Sequence, residues 1–419
     1  MGKDISDRLV QFALETKYEN IPPEVIDYTK RLALKTVCGM IAGSAKASGR
    51  KMAGIIRDQR LPEEVGVMGS GFKTALWQAV LLHGYFAHAS ELEDDRFTQT
   101  KNGGIAWDIT VIPLLFPLAE KLSLSGKALL ESLAVGLETA TRTCLWGAKH
   151  LGLGQIPGAV GSAFAASKAL GLDARQTAGA MGLALSSAPL AVVNYGTDGH
   201  YLESALMSLQ GMMAAQMAGA GLAGNPDIVT FLTNFLGKDV VEGPERIVED
   251  LGKKWLLCEL WIKKYPCCFR QHQQIDLILE MKKKHRLSLD DIETIEVHGG
   301  LSEKTCDRPE PMDEQQLQFS FQHVLSAAML DGDVNLRNIS PEAVSDPRMK
   351  EARKKVKFIY HADWPATDSN RVPGRVGIND RLEEIRTGKG HSHRSSSGAL
   401  DHAAIPRTLC KIHRRNIIR

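Results

Sequence analysis

The sequence predicts a mainly α protein, with a large all-helical domain followed by a smaller α+β domain. From Ile5 to about Gly224 the apolar residues recur at helical spacing, as in Leu9, Phe12 and Ala13 or Val25, Tyr28 and Leu32. Strand-like alternation is nearly absent there. After Pro226 the texture changes: SLDDIETIEVHGG alternates apolar and polar residues from Ile292 through Val297 before a Gly-Gly turn, the pattern of a strand. The chain has 419 residues, 43% of them hydrophobic, too many for one ordinary core and enough for two. The expected boundaries are 1–260 for the all-helical domain, 261–380 for the α+β domain, and 381–419 for an atypical basic tail without a sustained apolar period.

Each element has a local cause. Ile21-Pro22-Pro23-Glu24 suits a proline-started first turn, because proline at the first helical position gives up only an N–H that has no helical partner. Leu122 to Gly126 reads as a connection, and Leu170-Gly171-Leu172-Asp173 as a helix stop followed by a new N-cap. From Gly158 to Gly224 alanine and glycine crowd the chain. Each glycine inside a helix costs up to about 1 kcal/mol, which implies helices packed too closely for larger side chains. In the second part QFSFQHVLSAAMLDG is helical, and RVPGRVGIND near Arg371 is a further strand.

Composition removes several classes of function. The 51 basic and 49 acidic side chains nearly cancel, so no global field recruits nucleic acid or an anionic membrane. Gln176 to Thr197 carries no charge, but it is mostly Gly, Ala and Ser around Pro189 and is read as close-packed helix, not a membrane span. Seven cysteines, an odd number without a CxxC pair, form neither a disulfide framework nor a zinc ribbon. No apolar leader of signal-peptide type is visible, and the expectation is a cytoplasmic protein.

Three stretches carry chemistry. In HGYFAHASELEDDRF, winding the chain as one helix puts His88, Glu91 and Asp95 on a shared face beside Asp94. A histidine among carboxylates can hold a proton near neutral pH, and neighbouring carboxylates push each other's pKa apart, as general acid–base work requires. The competing reading is a solvated helix end. In YGTDGHYLESA a glycine-containing loop presents Asp198 and His200 ahead of a helix with Glu203, with a plain surface loop as the alternative. In WIKKYPCCFRQH, Lys263, Lys264, Arg270 and His272 bracket an aromatic–proline turn, a grouping suited to carboxylates or to an ordinary basic linker. Other motifs fail: GVMGSGFKT has Phe72 where a phosphate loop needs lysine, GLGQIPG follows no strand, and HExxH is absent. No metal site is assigned from spacing, and Cys267 and Cys268 have no paired base nearby in sequence.

AHASELEDD, KKYPCCFRQH and QFSFQHVLSAAMLDG, together with VGLETATR and GSAFAASKALGLD in the same order, resemble the MmgE/PrpD family over about residues 5 to 375. The resemblance implies a homodimer, no cofactor or iron–sulfur cluster, and an active site in a cleft between the two domains. The activities it implies are those of 2-methylcitrate dehydratase, cis-aconitate decarboxylase and iminodisuccinate epimerase, all on small polycarboxylates. This chain departs from the pattern. Glu91 stands for the first acid of the family's run, Asp95 for its threonine, and His200 for a lysine, with Glu203 near a usual histidine; a further histidine ahead of a proline is not visible. The expected function is a metal-independent lyase, a dehydratase or decarboxylase of a small di- or tricarboxylate. His200, His88, Glu91, Asp94, Asp95 and His272 are its expected catalytic residues, and Lys263, Lys264 and Arg270 bind substrate. The alternatives are an epimerase on the same substrates and a non-catalytic anion-binding descendant.

Overall fold

The computed structural model describes residues 2–97, 106–146, 156–186, 194, 196–236, 243–301, 303–364, 374–378 and 381–385. The chain divides into two compact units, Met1–Ile262 and Lys263–Arg419. The predicted strand-poor helical part and the predicted α+β part are both present, with fifteen α-helices among the described residues. No helix among them is long and apolar enough to cross a membrane.

The first unit contains α1 (Gly2–Glu15), α2 (Pro23–Ser44), α3 (Ala47–Asp58), a two-residue ladder of β1 (Val65–Gly66) with β2 (Lys73–Thr74), and α4 (Leu76–Ala89). There follow β3 (Asp94–Phe97), α5 (Asp108–Leu122), α6 (Gly126–Trp146), α7 (Ile156–Leu170), α8 (Ala174–Ala184), α9 (Asp198–Gly219), α10 (Ile228–Leu236) and β4 (Leu260–Ile262). Helix α2 starts with proline at its first position. Helix α8 starts with a capping box, Asp173 accepting from the Gln176 N–H at 2.8 Å while the Gln176 side chain takes the Asp173 N–H at 3.1 Å.

Helices α4, α5, α7 and α9 pack on one another, and small residues set their spacing. A Cβ built on Gly84 of α4 would lie 2.7 Å from the Cα of Ala205 in α9. Only glycine lets these two backbones meet, one turn before His88 on α4 and next to Ser204 on α9. Leu82, Phe86, Ile109, Leu114, Leu137, Ala163, Tyr201 and Met212 are among the fully buried residues of the resulting core.

Two polar devices tie down segments that helix packing alone leaves loose. Within α6, buried Arg142 takes Glu138 at 2.6 Å and donates to the carbonyls of Ile247, Glu249, Asp250 and Lys254. Glu138 in turn accepts the N–H groups of Leu256 and Leu257 at 3.0 and 2.8 Å. The Glu and Arg of VGLETATR therefore hold the chain leading into β4. Strand β4 pairs antiparallel with β3, Asp94 opposite Ile262 and Phe97 opposite Leu260. Periodicity of helical type had hidden this short strand pair.

The second unit contains α11 (His272–His285), β5 (Ile295–Gly299), α12 (Glu314–Gln318), α13 (Phe321–Asp331), α14 (Pro341–Ser345), α15 (Pro347–Lys354), β6 (Val356–Tyr360), β7 (Gly374–Ile378) and β8 (Arg381–Ile385). The strands form one sheet in the order β6-β5-β7-β8, with β5 and β6 parallel and the other pairings antiparallel. Ile295 and Val297 of β5 are buried while Glu296 and His298 are half-buried, the alternation legible in the sequence. The helix expected in QFSFQHVLSAAMLDG is α13; it starts only at Phe321, because Ser320 caps it, its side chain accepting from the His323 N–H at 3.1 Å, while Gln318 closes α12. Strand β8 lies beyond the boundary drawn at 380; residues 386–419, the rest of the basic tail, fall outside the described residues.

Candidate active site

Helix α4 does not run on through the acidic stretch as its sequence suggested. It ends at Ala89, Ser90 caps it, and Glu91 takes a left-handed backbone at φ 53°. A non-glycine residue in that region is strained by about 1–3 kcal/mol and persists only where its surroundings hold it. The turn has a clear result: it brings the Glu91 carboxylate back over the last turn of α4, with Oε1 3.8 Å from His88 Nε2. His88 and Glu91 thus meet by a reversal, and the helical i, i+3, i+7 face predicted for them with Asp95 does not form.

His200 arrives from the first turn of α9, whose N-cap is Thr197. It is not on a surface loop; it is 7% exposed and its ring lies 4.1 Å from that of His88, centroid to centroid. Its Nε2 faces the same Glu91 oxygen at 3.6 Å, and its Nδ1 faces Glu203 Oε2 at 3.6 Å. Glu203 is oriented by the Asn194 side-chain amide at 2.5 Å. His88 Nδ1 is bonded to Ser204 Oγ at 2.6 Å, so its Nε2 is the nitrogen turned to Glu91. Tyr201 packs edge-on against His88 and Tyr85, and Tyr85 donates to Asp198 at 2.6 Å. Burial, with Asp198 beside it, raises the Tyr85 hydroxyl above its ordinary pKa.

Asp94 belongs to a different group. Its N–H donates to Asp108 Oδ1 at 2.8 Å, and Asp108 also accepts from Lys35 and, at 2.5 Å, from Thr36 Oγ1. Burial raises both carboxyls. For Asp108 the Lys35 ammonium and the hydrogen bonds outweigh burial and hold it low, while Asp94, buried beside the Asp108 charge, is raised well above its ordinary value. The Lys35 charge thus favours the ionised form at Asp108, and burial beside Asp108 disfavours it at Asp94. Glu93 is buried between these groups in sequence, and the side chain of Asp95 lies outside the described residues.

The histidine that opens the stretch is structural. His83 is fully buried, its Nε2 accepts the Met68 N–H at 2.9 Å, and burial pushes its pKa down to about 4.

In the second unit, Lys263 is buried and Lys264 is exposed and paired with Asp276 at 2.6 Å, over the Tyr265 ring. Arg270 is half-buried. His272 starts α11, with Nε2 3.3 Å from the Cys267 carbonyl. Burial and then the Lys263 charge push His272 down to about 3, so its imidazole is neutral at physiological pH. Burial, with Cys268 beside it, raises the Cys306 thiol well above its ordinary pKa, which disfavours the thiolate.

The structure therefore joins His88, Glu91 and His200 from two stretches that the sequence could only nominate separately. It keeps Glu203 beside His200, adds Ser204, Tyr85 and Tyr201, and shows Lys35, Thr36 and Asp108 as supports. Ser204 lies one turn after His200, which was a usable signal. Lys35 carried none, since a lone lysine on an amphipathic helix ordinarily faces water.

The chain is a helical unit followed by an α+β unit, and the first unit buries two imidazoles and a carboxylate together. The chain belongs to the MmgE/PrpD family: the MmgE/PrpD N-terminal domain matches residues 7–240 and the C-terminal domain residues 265–398. Among characterised relatives it is 28% identical to the cis-aconitate decarboxylase of Mus musculus over 305 residues, covering 68% of this chain and 61% of that protein. It is 26% identical to the Homo sapiens cis-aconitate decarboxylase over 302 residues, covering 68% and 62%. It is 25% identical over 393 residues to a cis-aconitate decarboxylase-like protein of Aspergillus oryzae (strain ATCC 42149 / RIB 40), covering 86% and 80%. The chain thus spans about three fifths of the length of the two mammalian relatives.

Proposed function

We propose that this protein is a metal-independent lyase that moves a proton next to a carboxylate of a small di- or tricarboxylate, with cis-aconitate as the first substrate to try. The observation that carries the proposal is the convergence of His88 and His200 on one oxygen of buried Glu91, at 3.8 and 3.6 Å. The relatives named for cis-aconitate decarboxylation support the substrate class.

In this reading His200 moves the proton. Glu91 and Glu203 face its two ring nitrogens, and Ser204 holds Nδ1 of His88 so that Nε2 is the nitrogen turned to Glu91. In a decarboxylation the bond to the departing carboxylate breaks, carbon dioxide leaves, and the electron pair left on the carbon framework takes the proton. In a dehydration the proton leaves carbon and hydroxide departs with its bonding electrons. The two imidazole rings, 4.1 Å apart, leave no room for a reacting carbon between them, which disfavours this pair as the two opposed bases of an epimerase.

Proton NMR of the full chain in deuterated water, with succinate-, malate-, citrate- and aconitate-type acids, tests the proposal. Loss of the signal next to a carboxylate, or conversion of cis-aconitate with release of carbon dioxide, is the expected result. A folded protein that exchanges no proton on any of these acids would overturn it.

A further inference from the structure

We infer that His88, Glu91 and His200 form a binding site for a divalent transition-metal ion of the zinc or cobalt type, and that an ion bound there inhibits the enzyme. The inhibitory part rests on the function proposed above; the binding part does not.

The donor atoms are placed for it. One ring nitrogen each of His88 and His200 and a Glu91 oxygen lie within 4.8 Å of one another, all three residues buried. The two printed separations to Glu91 Oε1 are 3.8 and 3.6 Å. Bonds of about 2.0–2.2 Å in a tetrahedral site put neighbouring ligand atoms about 3.3–3.5 Å apart. Small side-chain rotations therefore close the set around one ion. Two imidazoles and one carboxylate suit zinc or cobalt, whereas magnesium and calcium favour all-oxygen sets.

The outer contacts match what metal-bound histidines use. Ser204 holds Nδ1 of His88 at 2.6 Å, and Glu203, itself held by Asn194, faces Nδ1 of His200 at 3.6 Å. Such partners fix which ring nitrogen turns to the metal, and a carboxylate behind a histidine makes that nitrogen more basic. Spacing could not show this site, since His200 lies far along the chain from His88. The set includes His200, the proposed proton carrier, so an ion that takes its Nε2 lone pair removes it from catalysis.

The test uses the full chain freed of metal with a chelator and then titrated with cobalt(II), followed by visible absorption, and with zinc(II), followed by calorimetry. The expected result is one ion per chain, a tetrahedral cobalt spectrum without thiolate charge-transfer bands, and affinity at least about tenfold weaker in His88→Gln, His200→Gln and Glu91→Gln. The near-isosteric Glu91→Gln guards against a variant that fails to fold, and His298→Gln, in the second unit, is expected to change nothing. Absence of binding below millimolar ion, or binding unaffected by all three substitutions, would overturn the site. Zinc that binds there without lowering turnover would overturn the inhibition. An enzyme inactive on every acid would count against the proposed function alone, because the cobalt spectrum reads the site without catalysis.

Discussion

Two buried polar groups lie within a few residues of each other in the first unit, and they are built to opposite ends. Around Asp108 the contacts are short and directional: Lys35, Thr36 Oγ1 at 2.5 Å and the Asp94 N–H at 2.8 Å all converge on it. Around Glu91 the separations to the two histidines are 3.6 and 3.8 Å, on a backbone bent into the left-handed region. A carboxylate closed off by an ammonium and two hydrogen bonds has its charge fixed and serves the fold. A carboxylate facing two imidazoles, in a strained turn, is the one proposed above to take part in proton transfer. The difference teaches that burial of acids does not mark function; the chemistry of what faces them does.

Substitution separates the two groups most sharply. His200→Ala is expected to lower kcat/KM on the true substrate by about a hundred- to ten-thousand-fold, the usual contribution of a positioned acid–base group, while urea unfolding barely changes. Asp108→Asn is expected to do the reverse and lower stability by about 3–5 kcal/mol, because it leaves the Lys35 ammonium buried without its counter-charge. A loss in urea unfolding of under about 1 kcal/mol would mean that Asp94 ionises and takes over the charge, and the two acids would then be interchangeable.

Much of the fold was legible because it rests on patterns with a single physical reading. Pro23, the Gly171–Asp173 junction and the alternation ahead of Gly299 each appear where the sequence puts them. The site was legible in its members and not in its geometry. Helical winding of His88 through Asp95 followed from spacing alone, but tertiary contacts stop the helix at Ala89 and send Asp94 into a strand paired with Ile262, a partner far along the chain. The Glu91 turn has no glycine to announce it. Lys35 and Asp108 are ordinary in their local sequence, and only packing of α2 against α5 turns them into a buried pair.

The pH dependence of stability sharpens the comparison further. Asp108, held low, contributes stability that is present above its unfolded pKa and is lost as pH falls through its folded value. Asp94, held high, contributes in the opposite sense: its stabilisation is fully present below the unfolded pKa of about 3.9 and is lost as pH rises through its raised value. Asp94→Asn removes the second effect, since an amide stays neutral. The variant is expected to gain on the wild type as pH rises from 4.5 towards 7.5, with a slope of at most about 1.4 kcal/mol per pH unit. Urea unfolding at both ends of the range checks this, and a gap that stays constant would show Asp94 ionised throughout.

The smallest effect isolates the strain itself. Glu91→Ala and Glu91→Gly both delete the carboxylate and open nearly the same space, so they differ mainly in the backbone. Glycine enters the left-handed region freely, whereas alanine, at the φ of 53° that Glu91 adopts, does not. Counting the greater unfolded-state entropy of glycine against it, Glu91→Gly is expected to be the more stable of the two by about 1 kcal/mol, with both inactive. Equal stability would mean that the turn relaxes once the carboxylate is gone. The strain would then be held by the attraction of Glu91 for the two histidines, and not by the packing of the chain on either side of it.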